Sequence, residues 1–537
     1  MNYALILIAV IIVTCALLNN ASTKIGMPVL LGFLLLGIFF GNSGILPIKF
    51  DNFAFAEKMS TVALIVIIFY GGFGTNWKAA RGVAVESGIL ASVGVVLTAL
   101  ITGVFCHICL KWGWIESFLM GSVVSSTDAA SVFSILRTRK LGLKNGIAPL
   151  LELESGANDP CSYMLTVLCL SLLKGSVGVG QTIWLVVAQI GFGVLFGVGI
   201  AQLAIFAMRR INFSAAGFNS LFVLAVALLS YAVPSLVGGN GFLSAYIVGI
   251  IMGNNSFHGK KYLVGFFDSM TDLMQVMVFF LLGLLARPQL MLDVLLPALL
   301  IFVFMLVVSR PATIALILGP FRKYPIKQRL FISFSGLRGA SSIVFAIVAA
   351  MGAPDMIQHD ILNIVFCIVL LSISLQGYFL PKAAKFFDSV DQNSDVMKTF
   401  NDFSEEMNIH FTDVVINENS PWRDKLVRDL QIPKDFLICN VIRPDGTRII
   451  PDGNTLISVG DKMILFSSSY RSDHDLYFVE KHIEKGNKLI GLSIREYRSD
   501  KVQIALIQRG EQNIIPHGDT VFMEGDVLYL NRTSSTL

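Results

Sequence analysis

The sequence predicts an all-α polytopic membrane body of about 13 spans, with inverted repeats and broken crossing helices, followed by an α+β cytoplasmic tail. Three observations carry the prediction. Of 537 residues, 54% are hydrophobic and only 15% charged, where a soluble domain usually carries about 25% charged residues. Residues 1–385 hold 24 Lys/Arg against 13 Asp/Glu, whereas 386–537 hold 17 against 24. Apolar runs long enough to cross ~30 Å of hydrocarbon recur throughout the first part and stop before the second. A single water-soluble domain is excluded.

The runs come in order. The opening one, about 3–19, has neither a basic leading segment nor a small-residue cleavage site, so it is expected to remain as a span. The others lie at about 27–40, 60–76, 87–110, 114–136, 147–174, 181–208, 217–236, 239–253, 268–285, 291–319, 330–352 and 361–380. The run 27–40 is short, and Pro311 is positioned to split 291–319. One set of alternate connections holds 17 basic residues and the other 5. The richer side belongs in the cytoplasm, which places the N-terminus outside and the tail inside the cell membrane. Seven cysteines form no disulfide framework. Cys106 and Cys109 flank His107 in an apolar helix with no second cluster, so no bound metal is expected.

Six charged residues lie submerged in these runs, away from most of the other acids, which sit nearer the loops: Arg310, Arg338, Asp128, Glu152, Glu154 and Asp159. A lone ion at the bilayer centre costs at least about 2.5–3.5 kcal/mol, so each needs a partner or water. At 1.5 Å per residue, Asp128 lies ~12 Å and Asp159 ~18 Å from the inner surface. The same rise puts Glu154, Arg338 and Arg310 at ~10, ~12 and ~13 Å. An acid and two cations at one depth predict a buried ion pair; depth alone leaves open which arginine Glu154 takes.

The segment Glu154-Ser155-Gly156-Ala157-Asn158-Asp159-Pro160 says most. Glu154 and Asn158 share one helix face, and Ser155 and Asp159 the adjoining one. Carboxylate, hydroxyl and amide oxygens then face one sector, which suits a hard monovalent cation. Pro160 removes a backbone donor and frees a carbonyl one turn back. Ser125-Ser126-Thr127-Asp128 and Ser335-Gly336-Leu337-Arg338-Gly339-Ala340-Ser341-Ser342 interrupt the fifth and twelfth runs, which point in opposite directions. Paired, opposed interruptions mark an inverted-repeat transporter.

At these residues the body resembles a cation:proton antiporter of the sodium/proton exchanger superfamily, NhaP-type branch. The resemblance implies a dimerisation domain and a six-helix core that moves as an elevator. It implies a cation and proton site of Asp159, Asp128, Ser155 and Thr127. Asn158 would hold the broken helices, while Glu154 pairs with Arg310 or Arg338. The related electrogenic branch has two adjacent aspartates where this chain has Asn158-Asp159, so electroneutral exchange of one cation per proton is expected. The empty carboxylate is costly to move through a low-dielectric barrier, whereas either loaded form moves more cheaply.

In the tail an internal repeat recurs at an offset of 65: Ile442 with Ile507, Ile449-Ile450 with Ile514-Ile515, Pro451 with Pro516, Thr455 with Thr520, and Gly460-Asp461 with Gly525-Asp526. Pro421–Leu430 is expected to form an amphipathic helix. The pattern resembles the C-terminal subdomain of RCK-type potassium-transport regulators in tandem. The organisation is then a membrane domain over 1–385, a linker over 386–410, and RCK-C-like units over 411–470 and 471–537. Such modules pair and bind small ligands, a cyclic dinucleotide being the first to test. A GxGxxG strand–helix fingerprint is missing, so neither NAD nor any other cofactor is expected. No nucleic-acid polymer is expected as a partner.

The leading expectation is a homodimeric K+ (or Na+) for H+ antiporter, not an enzyme, with its tail tilting the choice to K+. A Na+-selective antiporter is the alternative. An RCK-regulated cation channel lacks a TVGYG-like filter, and an intramembrane aspartyl protease lacks its GxGD signature.

Overall fold

The computed structural model describes residues 13–15, 29–41, 50–139, 141–175, 178–211, 216–255, 257, 260–321, 323–391, 409–418, 420–430, 432, 436–468, 477–483, 487, 489–497, 502–509, 512–514 and 516–532. They fall into two compact units, Met1–Glu406 and Met407–Leu537.

The first unit is helical because backbone groups with no water to bond must bond one another within the segment. Its helices are α1 (Val29–Phe40), α2 (Phe53–Gly74), α3 (Ala84–Leu110), α4 (Trp114–Val123), α5 (Ala129–Thr138), α6 (Ile147–Leu173) and α7 (Val179–Arg210). They continue as α8 (Ala216–Leu236), α9 (Gly241–Gly253), α10 (Lys260–Leu285), α11 (Pro288–Leu318), α12 (Ile326–Phe334), α13 (Ala340–Gly352) and α14 (Ile361–Phe386). Several starts are capped by side chains, as where Asn240 accepts the Leu243 N–H at 3.0 Å and Asp360 the Asn363 N–H at 3.1 Å.

Among the described residues, seven helices are long and apolar enough to cross a membrane. The 27-residue α6 is long enough, but its polar middle keeps it out of that count. The opening run lies outside the described residues except for a helical turn at 13–15.

Two stretches share one plan. In 84–173 and again in 288–386, a long helix leads to a helix broken in the middle, and a second long helix follows. The long helices α3, α11 and α14 each contain one π-helical turn, at Leu90–Gly94, Met305–Ser309 and Ser372–Gln376. Pro311 does not split α11, contrary to the expectation from sequence. The wide turn just before it makes room for a ring that would collide with a normal α-helical carbonyl.

The second unit holds two four-stranded antiparallel sheets of one design. Strands are numbered along the chain: β1 (Gly142–Leu143) and β2 (Val390–Asp391) belong to the first unit, and β4 (Lys425–Leu426) and β7 (Leu456–Ile457) form a small pair in the second. The two sheets are built from β3 (Ile409–Val415), β5 (Phe436–Ile442), β6 (Arg448–Ile449) and β8 (Lys462–Ser468), then β9 (Tyr477–His482), β10 (Val502–Arg509), β11 (Gln512–Ile514) and β12 (Val527–Arg532). Their spatial orders, β3-β8-β5-β6 and β9-β12-β10-β11, correspond strand for strand. Each sheet has a bulge at the same place, between Ile438 and Asn440 and between Ile504 and Leu506. Register corrects one sequence match. Val441 pairs with Ile449 and Ile507 with Ile514, so Ile507 corresponds to Val441 rather than Ile442. The second hairpin is one residue shorter; a slip of one residue changes which face is buried, and Val441 and Ile507 are the fully buried pair.

Pro421–Leu430 is not a helix. It forms turns, a two-residue strand Lys425–Leu426 paired with Leu456–Ile457, and a 3₁₀ turn at Val427–Asp429. Ten residues make a marginal helix, and Asp424 adopts φ +54°, which breaks one.

Candidate functional site

Breaking a helix strands carbonyls at one cut end and N–H groups at the other. Two such breaks, 124–128 between α4 and α5 and 335–339 between α12 and α13, lie side by side. The Asp128 N–H bonds the Leu337 carbonyl at 2.8 Å. At the end of α4, Arg338 Nη1 donates to the Ser125 and Ser126 carbonyls at 2.8 and 2.6 Å. At the end of α12, the Gln376 amide donates to the Phe334 carbonyl. The Arg338 N–H itself donates to Ser372 Oγ at 3.0 Å, so the π-helical turn of α14 steadies the second break.

The opposite ends meet an anion. Asp128 caps α5, accepting the Ser131 N–H at 3.2 Å and its hydroxyl at 2.5 Å. It also lies against Gly339 at the start of α13, where any Cβ would collide with the carboxylate. A cation at the carbonyl end of α4 and an anion at the N–H ends of α5 and α13 offset those half-helix dipoles, while a neutral amide serves the carbonyl end of α12.

Helix α6 passes the breaks and runs unbroken through Pro160. Ser155 donates its hydroxyl to the Thr127 carbonyl at 2.9 Å and accepts the Ala129 N–H at 2.9 Å. Asn158 Nδ2 donates to Thr127 Oγ1 at 2.7 Å, and its Oδ1 accepts the Ser126 hydroxyl at 3.1 Å. The amide therefore ties α6 to the first break. Asp159, 9% exposed, accepts a hydrogen bond from the Ser126 hydroxyl of the first break, and that hydroxyl lies 3.3 Å from the Ser341 hydroxyl on the other broken helix.

Asp159, Asp128, Thr127 and Ser155 line a cavity of about 520 Å³. The α6 face Glu152-Ser155-Gly156-Asp159 and the α10 face Asp268-Thr271-Asp272-Gln275 both line it. Asp268 accepts the Tyr70 hydroxyl at 3.2 Å. The other predicted site residues, Asn158, Glu154, Arg310 and Arg338, lie outside this lining. Glu154 takes Arg310: Oε1 meets Nη2 at 2.5 Å, both side chains nearly inaccessible. Arg338, the other candidate, spends its guanidinium on the α4 carbonyls.

Sequence reasoning missed Ser126 as the Asp159 donor and Ser341 as its neighbour, although both stand inside the interruptions it singled out. Asp268 and Asp272 were passed over because the apolar run starts at 268; the helix itself starts at Lys260, which puts both acids in its middle, on the cavity. Asn240 also went unread: its Nδ2 holds the Pro160 carbonyl at 2.7 Å. Among the described residues, no His/Cys/Asp/Glu group is arranged to hold a metal ion. His107 instead meets the Trp112 carbonyl at 2.7 Å.

A family model described as sodium/hydrogen exchanger, transmembrane, matches residues 8–385. The chain belongs to the sodium/hydrogen exchanger family. A TrkA-C domain model matches this exchanger's tail twice, at 411–470 and 479–535. Among similar proteins is the K(+)/H(+) antiporter NhaP of Alkalimonas amylolytica, 32% identical over 469 residues, covering 86% of this chain and 81% of that one. The K(+)/H(+) antiporter NhaP2 of Shewanella sp. strain ANA-3 is 36% identical over 383 residues, covering 70% and 66%. The solved structure of the sodium proton antiporter MjNhaP1 from Methanocaldococcus jannaschii at pH 8 shares the fold, with TM-score 0.63 over 72% of this chain and 99% of that one, at 22% identity.

Proposed function

We propose that this protein exchanges a monovalent cation, K+ before Na+, for H+, and that Asp159 is the group for which the two compete. One observation carries the reading: a nearly buried carboxylate, held by a hydroxyl of the first break that in turn meets a hydroxyl of the second broken helix, opens onto an acid-walled cavity. A proton or a cation neutralises it, and the empty charged form is the costly one to carry across a low-dielectric barrier. Exchange is then obligatory. Because Asn158 stands beside Asp159 and is occupied with Thr127 and Ser126, one carboxylate turns over per cycle. That supports one cation per proton, with no net charge moved.

Asp128, Thr127 and Ser155 complete the cation's oxygen shell in this reading. Asn158, Glu154, Arg310 and Arg338 hold the shell in place and do not touch the ion. K+ is favoured by relatives named as K(+)/H(+) antiporters and by the TrkA-C tail. A relative named probable Na(+)/H(+) antiporter 2, 26% identical, keeps Na+ as the second reading. The protein works as a homodimer and a transporter rather than an enzyme, in the cell membrane with its N-terminus outside. Its cytoplasmic tail regulates the exchange, and a cyclic dinucleotide is the first ligand to test.

The test is dequenching of a pH dye in inside-out vesicles on addition of K+, Na+ or Li+. The expected result is release of the acid gradient by K+ in the unaltered protein and none in Asp159→Asn. Equal release by both overturns the reading.

A further inference from the structure

The chain leaves α14 through a turn that glycine usually makes. The Asp388 N–H bonds the Lys385 carbonyl at 3.2 Å and the Ser389 N–H bonds the Ala384 carbonyl at 3.0 Å, with Asp388 at φ +50°. This is a Schellman turn whose left-handed position carries a side chain. That side chain has a task. Its carboxylate takes Lys144 Nζ at 2.7 Å, and the hydrogen bond and charge of Lys144 hold the Asp388 carboxyl below the usual carboxylate range.

The next residues continue the grip. The Ser389 carbonyl accepts the Lys144 N–H at 2.9 Å. Strand β2 (Val390–Asp391) then pairs antiparallel with β1 (Gly142–Leu143), Val390 opposite Leu143 and Asp391 opposite Gly142. Leu143 is buried with Val132, Leu136, Ile147 and Leu151, and Phe387 and Val390 pack on the same cluster. Ser389 is fully buried. Ion pair, strand pairing and apolar packing make one clasp.

What the clasp holds gives it meaning. Gly142–Lys144 lies in the connection between α5, which starts beside Asp128, and α6, which carries Asp159. Asn145, next in the same loop, donates to Gln328 on α12 at 3.0 Å. Helix α5 has 10 residues, so the clasp is only about 15 Å along a rigid rod from Asp128. The tail is joined to the same chain beyond Asp391.

We propose that the clasp of Lys144, Asp388 and the β1–β2 pair is the route by which the tail acts on the cation site, by displacing the α5–α6 connection. The inference rests on the exchange reading above and on regulation by the tail.

The test uses the full chain in proteoliposomes. Asp526→Asn loosens the second tail sheet by removing the charge that Arg509 grips. Lys144→Ala with Asp388→Gly removes the ion pair while keeping the left-handed turn, and Val390→Asp added to them breaks the packing of the paired strand on its apolar cluster, so the triple change opens the clasp. With the clasp intact, Asp526→Asn changes the exchange rate by about twofold or more; with it open, the same tail change has no further effect, a departure from additivity that marks coupled sites. Equal effects in both backgrounds, or none in either, overturn the proposal. Amide hydrogen exchange at 142–144 supplies a readout that needs no transport: Asp526→Asn speeds it only when the clasp is intact, and unchanged protection overturns the proposal. Absence of exchange in the unaltered protein would instead defeat the functional reading, leaving the amide result to judge the clasp.

Discussion

The stretches 84–173 and 288–386 have the same plan and opposite chemistry. In the first, the residues that face the crossing are acids and their hydroxyl neighbours: Asp128 in the break and Asp159 on the following helix. In the second, the corresponding positions hold Arg338 in the break and Ser372 and Gln376 on the following helix. Each following helix steadies its own break, α6 through Ser155 and Asn158 and α14 through Ser372 and Gln376. The architecture is duplicated; the titratable group is not. One copy supplies the group that binds, and the other supplies fixed compensation for the helix ends.

The largest effect should come from the buried pair that links the copies. Arg310→Ala leaves Glu154 charged with no partner, and loss of one member of a buried pair costs about 3–5 kcal/mol. Thermal unfolding in detergent should show a large fall, much of it recovered in Glu154→Gln with Arg310→Met. No recovery would mean the two do not act as a pair.

Next comes the contrast between the two carbonyl ends. Arg338→Gln gives up charge-assisted bonds to Ser125 and Ser126, worth about 1.5–3 kcal/mol each, whereas Gln376→Leu gives up two neutral ones, to the Phe334 carbonyl and from the Ser372 hydroxyl, worth about 1 kcal/mol each. Equal losses in unfolding midpoint would remove the distinction between the copies.

A smaller effect belongs to the cavity wall. Asp272→Asn keeps Asp159 and its donor intact but weakens the negative field of the cavity. The KM for K+ should rise about two- to fivefold at low ionic strength, with kcat held, and the rise should shrink in high choline chloride. A fall in kcat instead would place Asp272 in the transport step.

The smallest effect lies in the tail. Asp526 is inaccessible; burial pushes its carboxyl up, but the Arg509 hydrogen bonds, the Met523 N–H and the Arg509 charge outweigh that and hold it below the usual range. A carboxyl lowered in the folded state contributes stability above its unfolded value, near pH 3.9, and that contribution is lost as pH falls through the folded value. Protection of amides in 502–509 should therefore weaken in acid below about pH 4, and Asp526→Asn should lack this acid-sensitive part. Identical acid profiles would contradict it.

Much of this was legible in the sequence because membrane burial leaves few reasons for a polar residue. Asp128, Asp159, Ser155 and Thr127 stand out in apolar runs, and the fold gathers all four around one cavity. Both breaks were visible as clustered serines and glycines. What stayed hidden depends on contact across the fold. Depth put Arg310 and Arg338 level with Glu154, and only packing chose Arg310. The π-helical turn that spares α11 from Pro311 has no local signature. Gly142, Leu143, Lys144 and Asp388 look like ordinary loop residues, since two-residue strands are too short to show a period. Pro421–Leu430 had a helical apolar spacing that pairing with Leu456–Ile457 overrode.

The central claim is that cation and proton exclude each other at Asp159, and linked proton release measures this directly. K+ would be titrated calorimetrically into the detergent-solubilised protein in two buffers of different ionisation heat. The account predicts close to one proton released per K+ bound near the pH where the site is half protonated, and no linked release in Asp159→Asn. K+ binding that releases no proton, or releases it equally without the Asp159 carboxylate, would contradict it.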